Sequence, residues 1–311
     1  MALEYSSIQL EISPVCNNGC ISCIGGPHLQ NKKKAGFALV KSIVKTLKKS
    51  PRHRSVLFTS AEPTLYLGLP VLAKEISDLG FKEIGIQTNG RRLSSFSYAH
   101  ELVKSGVKNF RISIYSTNPK AHDKITGVKG SFKQTWRGIN NLIALKAKNP
   151  SIEIGIACVV SKLNITTLCS SLKSFYSLKG INFVTLNSLV VSGRAVKNKD
   201  KLLVKYSDVI KECLKFDKMQ NHLPPLARER PNITGLPFCV GSSLGMLENR
   251  IFETCELVEI SGKSLRKAFS GEGVSYIKLP VCRRCAYEKN CPGVQRAYIK
   301  KFGVKEFKPV L

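Results

Sequence analysis

Between residues 5 and about 195, short runs rich in β-branched residues alternate with longer amphipathic segments, and this alternation restricts the fold more than any other feature of the chain. Six runs read as strands: Ser7–Ile12, Ser55–Thr59, Glu83–Thr88, Asn109–Tyr115, Ile152–Val160 and Asn182–Val191. Between them apolar residues recur at helical spacing. Phe37, Val40, Ile43, Val44 and Leu47 share one side of residues 36–49 with lysines opposite. Leu72, Ile76 and Leu79 precede Gly80, a glycine placed to end a helix. Ile139, Leu142, Ile143 and Leu145 mark a third helix over residues 132–148. Strands that read as near-continuous apolar runs, each followed by a helix, predict parallel strands covered by helices. The expected class is α/β, a partial (β/α)6 barrel with functional residues at the C-terminal ends of its strands.

The texture changes after residue 195. Residues 196–223 read as a polar connecting helix. Beyond it come Pro224 and Pro225 and then Arg228-Glu229-Arg230-Pro231, a breaker-rich stretch. Five of the eleven cysteines lie past this point. With 311 residues the chain is long enough for one large core and a smaller module. The expected division is a barrel over 1–195, a linker over 196–223 and a small cysteine-rich domain over 224–311.

Composition narrows the setting. Hydrophobic residues make up 43% of the chain, and no apolar run approaches the ~20 residues a membrane helix needs, so no membrane span is expected. The opening residues have no basic stretch followed by an apolar one, which predicts a cytoplasmic, reducing location. There, cysteines serve metal ligation or catalysis rather than a disulfide framework. Lys and Arg number 49 against 21 Asp and Glu, a net charge of +28. Such an excess attracts an acidic peptide or a nucleic acid; it also fits a lysine-rich proteome, because the lysines are dispersed. The expected recognition face is Lys45, Lys48, Lys49, Arg52 and Arg54, with Arg91 and Arg92 at the end of the third strand.

Directly after the first strand the chain reads Cys16-Asn-Asn-Gly-Cys20-Ile-Ser-Cys23. Three thiolates on one short loop hold three irons of a cubane cluster and leave the fourth iron open to a small molecule. A zinc site would pair two Cys-x-x-Cys knuckles, and this spacing is not of that kind. The loop resembles the cluster loop of the radical S-adenosylmethionine (SAM) enzymes, whose open iron chelates the amino and carboxylate groups of SAM. Ser22 stands where that family often carries an aromatic residue.

The resemblance extends along the chain. Ser60-Ala61-Glu62-Pro63 is similar to the family's Gly-Gly-Glu-Pro motif, which brings backbone carbonyls and a carboxylate to the SAM ammonium. Thr88-Asn89-Gly90, Ser113 in Arg111-Ile112-Ser113-Ile114-Tyr115, and Gly193-Arg194 match family positions at strand ends. The resemblance therefore implies Ser60, Glu62, Asn89, Ser113 and Arg194 as SAM contacts. His122-Asp123-Lys124-Ile125-Thr126-Gly127 also looks like a family segment; His122 reads as a surface or capping residue and Ser131 as the cap of the following helix. Cys158, Cys169 and Cys213 sit in apolar contexts and read as core thiols.

The late cysteines form a second constellation: Cys239 and Cys255 flank an expected hairpin, then comes Cys282-Arg-Arg-Cys285-x5-Cys291. This is similar to the auxiliary-cluster modules called SPASM and twitch, with Gln295 in the place of the next cysteine. The resemblance implies one auxiliary [4Fe-4S] cluster on Cys239, Cys255, Cys282 and Cys285. Cys291 is then either a substitute ligand or a free thiol that returns a hydrogen atom to a substrate radical. A structural zinc knuckle is the competing reading.

The implied activity is reductive cleavage of SAM at a [4Fe-4S] cluster, with hydrogen abstraction from a peptide or protein, acidic in character, and electrons from a flavodoxin or ferredoxin. RNA modification is the alternative that the charge favours, although the aromatic stacking clusters of single-strand readers are missing. A non-catalytic cluster- or zinc-bearing binding protein is the third reading.

Overall fold

The computed structural model describes residues 7–25, 40, 42, 44–45, 55–59, 61–223, 228–241, 256–259 and 275–311. The six expected strands are present as β1 (Ser7–Glu11), β2 (Ser55–Thr59), β3 (Glu83–Thr88), β4 (Asn109–Ser113), β5 (Glu153–Val160) and β6 (Phe183–Ser188). Each pairs in parallel with the next. Helices Leu69–Asp78, Phe96–Lys104, Ser131–Lys148 and Leu168–Ser177 connect them, and Val40, Ser42, Val44 and Lys45 are helical within the expected segment 36–49.

The strands alternate rather than run apolar throughout. Ile8, Leu10, Val56, Phe58, Ile84, Ile86, Phe110, Ile112, Ile154, Ile156, Val184 and Leu186 share one core with Leu72, Ile76, Leu102, Ile139, Leu142, Leu172 and Phe175 of the helices. Each such side chain contributes about 1.5–3 kcal/mol by leaving water. The opposite face carries Gln87 and Arg111, both exposed, and the half-buried Thr59, Ser113, Thr185 and Asn187. Helices cover only one face of this sheet; the other lines a polar lumen, so side chains follow the period of two.

Two further strands come from the region assigned by sequence to the second domain. β7 (Asn232–Thr234) pairs with β6, and β8 (Glu256–Glu259) pairs with β1, both in parallel. The sheet order is β7-β6-β5-β4-β3-β2-β1-β8, an open, partial barrel. The sheet thus crosses the boundary expected at 223/224. The expected linker is two helices, Arg194–Leu202 and Tyr206–Lys218, and the second places Val209, Cys213 and Phe216 in the barrel core. Its lysines face outward, which gave the stretch its polar look.

The remaining C-terminal residues form a small antiparallel pair, β9 (Tyr276–Ile277) with β10 (Val294–Gln295), followed by helix Arg296–Phe302. Tyr298 is fully buried and stacks on Tyr206 with ring centroids 3.9 Å apart. Its hydroxyl accepts from the Tyr206 N–H at 2.8 Å and donates to Glu306. A second apolar cluster, including Leu202, Leu203, Ile210, Val294 and Phe307, thereby ties this module to the helices after β6. No helix among the described residues is long and apolar enough to cross a membrane.

Candidate functional site

The three early cysteines lie on the loop that leaves the C-terminal end of β1, and the barrel holds this loop from several sides. The Gly19 N–H donates to the Thr126 carbonyl at 2.8 Å and the Ile21 N–H to Ile125 at 3.0 Å. These carbonyls end helix Pro119–Thr126, which starts on the Asn118 side chain and stops at Gly127 with φ of 70°. A Cβ at Gly127 would meet the Gly19 carbonyl oxygen at 3.1 Å, so this glycine lets the loop lie on the helix end. From the far side the Arg194 N–H donates to the Cys23 carbonyl at 2.9 Å. A Cβ at Gly193, where φ is 54°, would come within 2.6 Å of that same oxygen.

Side chains complete the hold. Arg91 donates to the Asn17 carbonyl, to Asn18 Oδ1 at 3.0 Å and to Gln134 Oε1 at 2.6 Å. Asn89 Nδ2 donates to Asn17 Oδ1 at 2.7 Å and points at Cys16 Sγ from 3.8 Å. The Tyr115 hydroxyl points at Cys20 Sγ from 3.7 Å, and the Asn18 N–H at Cys16 Sγ from 3.3 Å. Burial pushes the Cys16 thiol up and the Cys20 thiol to about 12. Donors aimed at sulfurs that resist ionisation unaided fit a site where a bound metal centre takes the protons' place. Among the described residues no three His, Cys, Asp or Glu side chains close around a single ion; a cubane takes a wider arrangement, since each thiolate binds its own iron.

The expected SAM contacts divide. Ser60 lies outside the described residues. Glu62 is fully buried. Its Oε1 accepts from the Thr64 N–H and hydroxyl and the Thr88 hydroxyl, at 3.1, 2.6 and 2.5 Å, and Oε2 from the Asn89 N–H at 2.8 Å. Burial raises its pKa against those donors. The carboxylate thus ties the ends of β2 and β3 together instead of standing open to an ammonium group. Asn89 serves the cysteine loop, as described. Ser113 faces the lumen half-buried, and Arg194 brings a half-buried guanidinium to within 3.7 Å of where a Gly19 Cβ would be.

Three further expectations are corrected by packing. His122 is 1% exposed rather than on the surface. Its Nδ1 accepts from the Tyr115 N–H at 3.2 Å, it packs against Phe132, and burial lowers its pKa to about 4. The helix after it is capped by Asp123, which accepts from Gly130, Ser131 and Phe132. Arg91 and Arg92 are not free for a substrate: Arg91 grips the loop, and Arg92 donates to the Thr64 carbonyl and lies 4.1 Å over the Tyr98 ring. Of the other basic residues of that face, Lys45 is exposed and Lys48, Lys49, Arg52 and Arg54 lie outside the described residues. Cys158, Cys169 and Cys213 are buried, as expected.

Four of the late cysteines line one cavity. Cys239, Cys282, Cys285 and Cys291 face it together with Phe238, Tyr287 and Lys278. Burial and then the neighbouring thiols of Cys291, Cys285 and Cys282 push Cys239 up to about 11. Backbone N–H groups serve two of the sulfurs: Leu279 donates to Cys282 Sγ and Gly293 to Cys291 Sγ, each at 3.4 Å. Lys278 binds the carbonyls of Glu288 and Cys291 and so closes the loop between the cysteines. Gln295 is a buried clamp, bonded to Val191 and Leu189. Cys255 and the expected hairpin lie outside the described residues. The local spacing could not reveal that Cys291, not only its sequence neighbours, sits beside Cys239.

Residues 10–160 match the model of the radical SAM superfamily. Among curated relatives, a probable GTP 3′,8-cyclase of Methanococcus maripaludis is 28% identical over 165 residues, 51% of this chain and 53% of that protein. One from Saccharolobus islandicus is 26% identical over 139 residues, 44% of this chain and 43% of that protein. The matches thus span about half the length of those relatives. Among solved structures, Streptococcus suis SuiB bound to precursor peptide SuiA superposes with a TM-score of 0.68 at 16% identity, covering 98% of this chain and 75% of that one. Native anSMEcpe with bound AdoMet gives 0.66 at 19% identity, covering 94% and 89%. At these identities the structural likeness speaks for the fold alone. Residues 10–160, with the thiol loop placed at the end of β1, are a radical SAM domain.

Proposed function

We propose that the protein is a radical SAM enzyme that modifies a peptide or protein, with a [4Fe-4S] cluster on Cys16, Cys20 and Cys23. The observation that carries this reading is the three-thiol loop, clamped by β3, helix Pro119–Thr126 and Gly193-Arg194 above a polar lumen. Bound there, the cluster and SAM would supply the one-electron chemistry that takes hydrogen from an unactivated carbon. The chain's own part is to hold and orient. Asn89 and Tyr115 aim donors at the sulfurs, Ser113 and Arg194 present a hydroxyl and a cation for the polar end of SAM, and the lumen receives the substrate.

The cavity of Cys239, Cys282, Cys285 and Cys291 supports a second, auxiliary cluster, with Cys291 as its fourth ligand rather than a free hydrogen donor. Lys278 and the N–H groups of Leu279 and Gly293 would stabilise thiolate charge there. A flavodoxin- or ferredoxin-type protein is the natural electron source. The peptide class is favoured by SuiB and anSMEcpe, whose structures with peptides share this fold across nearly the whole chain. The second reading is a nucleotide, favoured by the cyclase relatives.

Anaerobically reconstituted wild-type protein with SAM and dithionite should release 5′-deoxyadenosine. The variant with Cys16, Cys20 and Cys23 all changed to Ala should release none while retaining about half of roughly eight irons. Deoxyadenosine from that variant, or none from the wild type, would reject the reading.

A further inference from the structure

We propose that Arg111 is a substrate-binding residue, receiving the carboxylate of an acidic side chain in the lumen. The inference rests on the radical SAM reading above and names the substrate chemistry for it. Arg111 lies in the middle of β4, fourth of eight strands counted from β7, on the face turned away from the helices. Its neighbours Phe110 and Ile112 enter the apolar core, so the side chain between them projects into the lumen.

There it stands exposed, and among the described residues its guanidinium has neither a hydrogen bond nor an ion pair. Arg91 and Arg92, past the C-terminal end of β3, are employed on the cysteine loop and on Thr64 and Tyr98.

The cavity that Arg111 lines, among the first residues of β2 to β6, has a volume of about 200 Å³, which suits a single side chain rather than a whole small ligand. In register beside Arg111 stand Gln87 on β3 and Gly155 on β5. The Phe183 ring occupies the space a side chain at Gly155 would need, with ring carbons 2.2 Å from that Cβ position. The guanidinium therefore has an amide on one flank and an aromatic ring close to the other. Two residues along the strand, about 7 Å, Ser113 ends β4 on the same face. A ligand anchored on Arg111 would reach up to the cofactor shelf with its neighbouring atoms.

Charge decides the ligand class. Glu83 and Glu153, first residues of β3 and β5, line the same cavity, and neither forms an ion pair with Arg111. With a single cation beside two carboxylates, the cavity can match one negative charge but not the several of a triphosphate. A single carboxylate can take the planar fork of Arg111 in a two-point contact, while the peptide N–H groups beside it face the two glutamates. The chemistry fits a glutamate or aspartate side chain within a peptide.

The test uses the cluster-loaded full chain and calorimetry with three probes: acetyl-Ala-Glu-Ala-amide, its Gln counterpart, and GTP. The Glu peptide should bind at least tenfold tighter than the Gln peptide at low salt and lose that advantage at high salt. Arg111→Gln should erase the discrimination, and Arg111→Lys should keep only part of it. Glu153→Gln, which leaves the guanidinium in place, should tighten the Glu peptide and keeps the idea testable even where Arg111→Gln loads iron poorly. Equal binding of both peptides, discrimination that survives Arg111→Gln, or GTP binding that depends on Arg111 would each overturn the carboxylate assignment. Wild-type deoxyadenosine release is measured without these probes, so failure here is separable from failure of the enzyme reading.

Discussion

The two thiol sites are assembled by opposite routes. Cys16, Cys20 and Cys23 occupy eight consecutive residues, and the barrel only has to clamp a loop that already contains all three. Cys239, Cys282, Cys285 and Cys291 come from segments up to 52 residues apart, and only packing brings them to one cavity. A local site is set by spacing and survives small shifts of its scaffold. An assembled site depends on every contact that brings its parts together, here the Lys278 bridge, the β9–β10 pair and the Tyr206–Tyr298 stack.

The largest effect expected from this contrast is at Cys291. Cys291→Ser should remove one whole cluster, about half the iron, and leave SAM cleavage at the first loop measurable. Cys255→Ser should keep the iron content. The reverse pattern, with iron lost from the Cys255 variant alone, would assign the fourth ligand to Cys255 and reduce Cys291 to a bystander in the cavity.

A smaller, selective effect is expected from loosening the first site. Arg91→Ala removes a cation that holds two loop residues and Gln134, a contribution of about 2 kcal/mol for hydrogen bonds to a charged group. Iron in the first site should exchange severalfold faster with a chelator, while the second site is unaffected. Equal release from both sites would show that the clamp does not act locally.

The mildest expectation concerns acid. The His122 imidazole is held neutral by burial, with a pKa of about 4 against an ordinary value of 6.5. A depressed base of this kind leaves stability complete above pH 6.5 and withdraws it as the pH falls toward 4, about 3 kcal/mol in all. Because His122 supports Tyr115 and the helix that carries the first loop, acid should weaken the first site before the second. Melting temperatures of wild type and His122→Phe, followed from pH 7 to 4.5, check this: the variant should lose the steeper part of the slope.

The strands were legible within one to three residues because β-branched runs bounded by turns are a local signal; Glu83–Thr88 and Ser55–Thr59 match residue for residue. The first thiol loop was legible for the same reason, all its chemistry lying within one loop. What misled was chemistry whose partners are distant. Asn89 and Glu62 read as open polar groups at strand ends, yet Asn17, Thr64 and Thr88 occupy them. Arg91 and Arg92 read as a free basic pair, although one holds the cysteine loop and the other Thr64 and Tyr98. His122 read as a surface residue because nothing in its neighbours predicts that Tyr115 and Phe132 enclose it.

The sequence by itself determined the alternation of strands and helices, the parallel barrel that follows from it, and the three-thiol loop at the end of the first strand. These depend on spacing along the chain, which short-range sterics and periodicity convert directly into structure. The tertiary structure alone decided that β7 and β8 extend the sheet, that Cys291 joins Cys239, and that Arg111 has no partner in the lumen among the described residues. Those outcomes depend on which segments meet across the fold, and contact between residues far apart in the chain is set by the packing of the whole core rather than by the residues on either side of them.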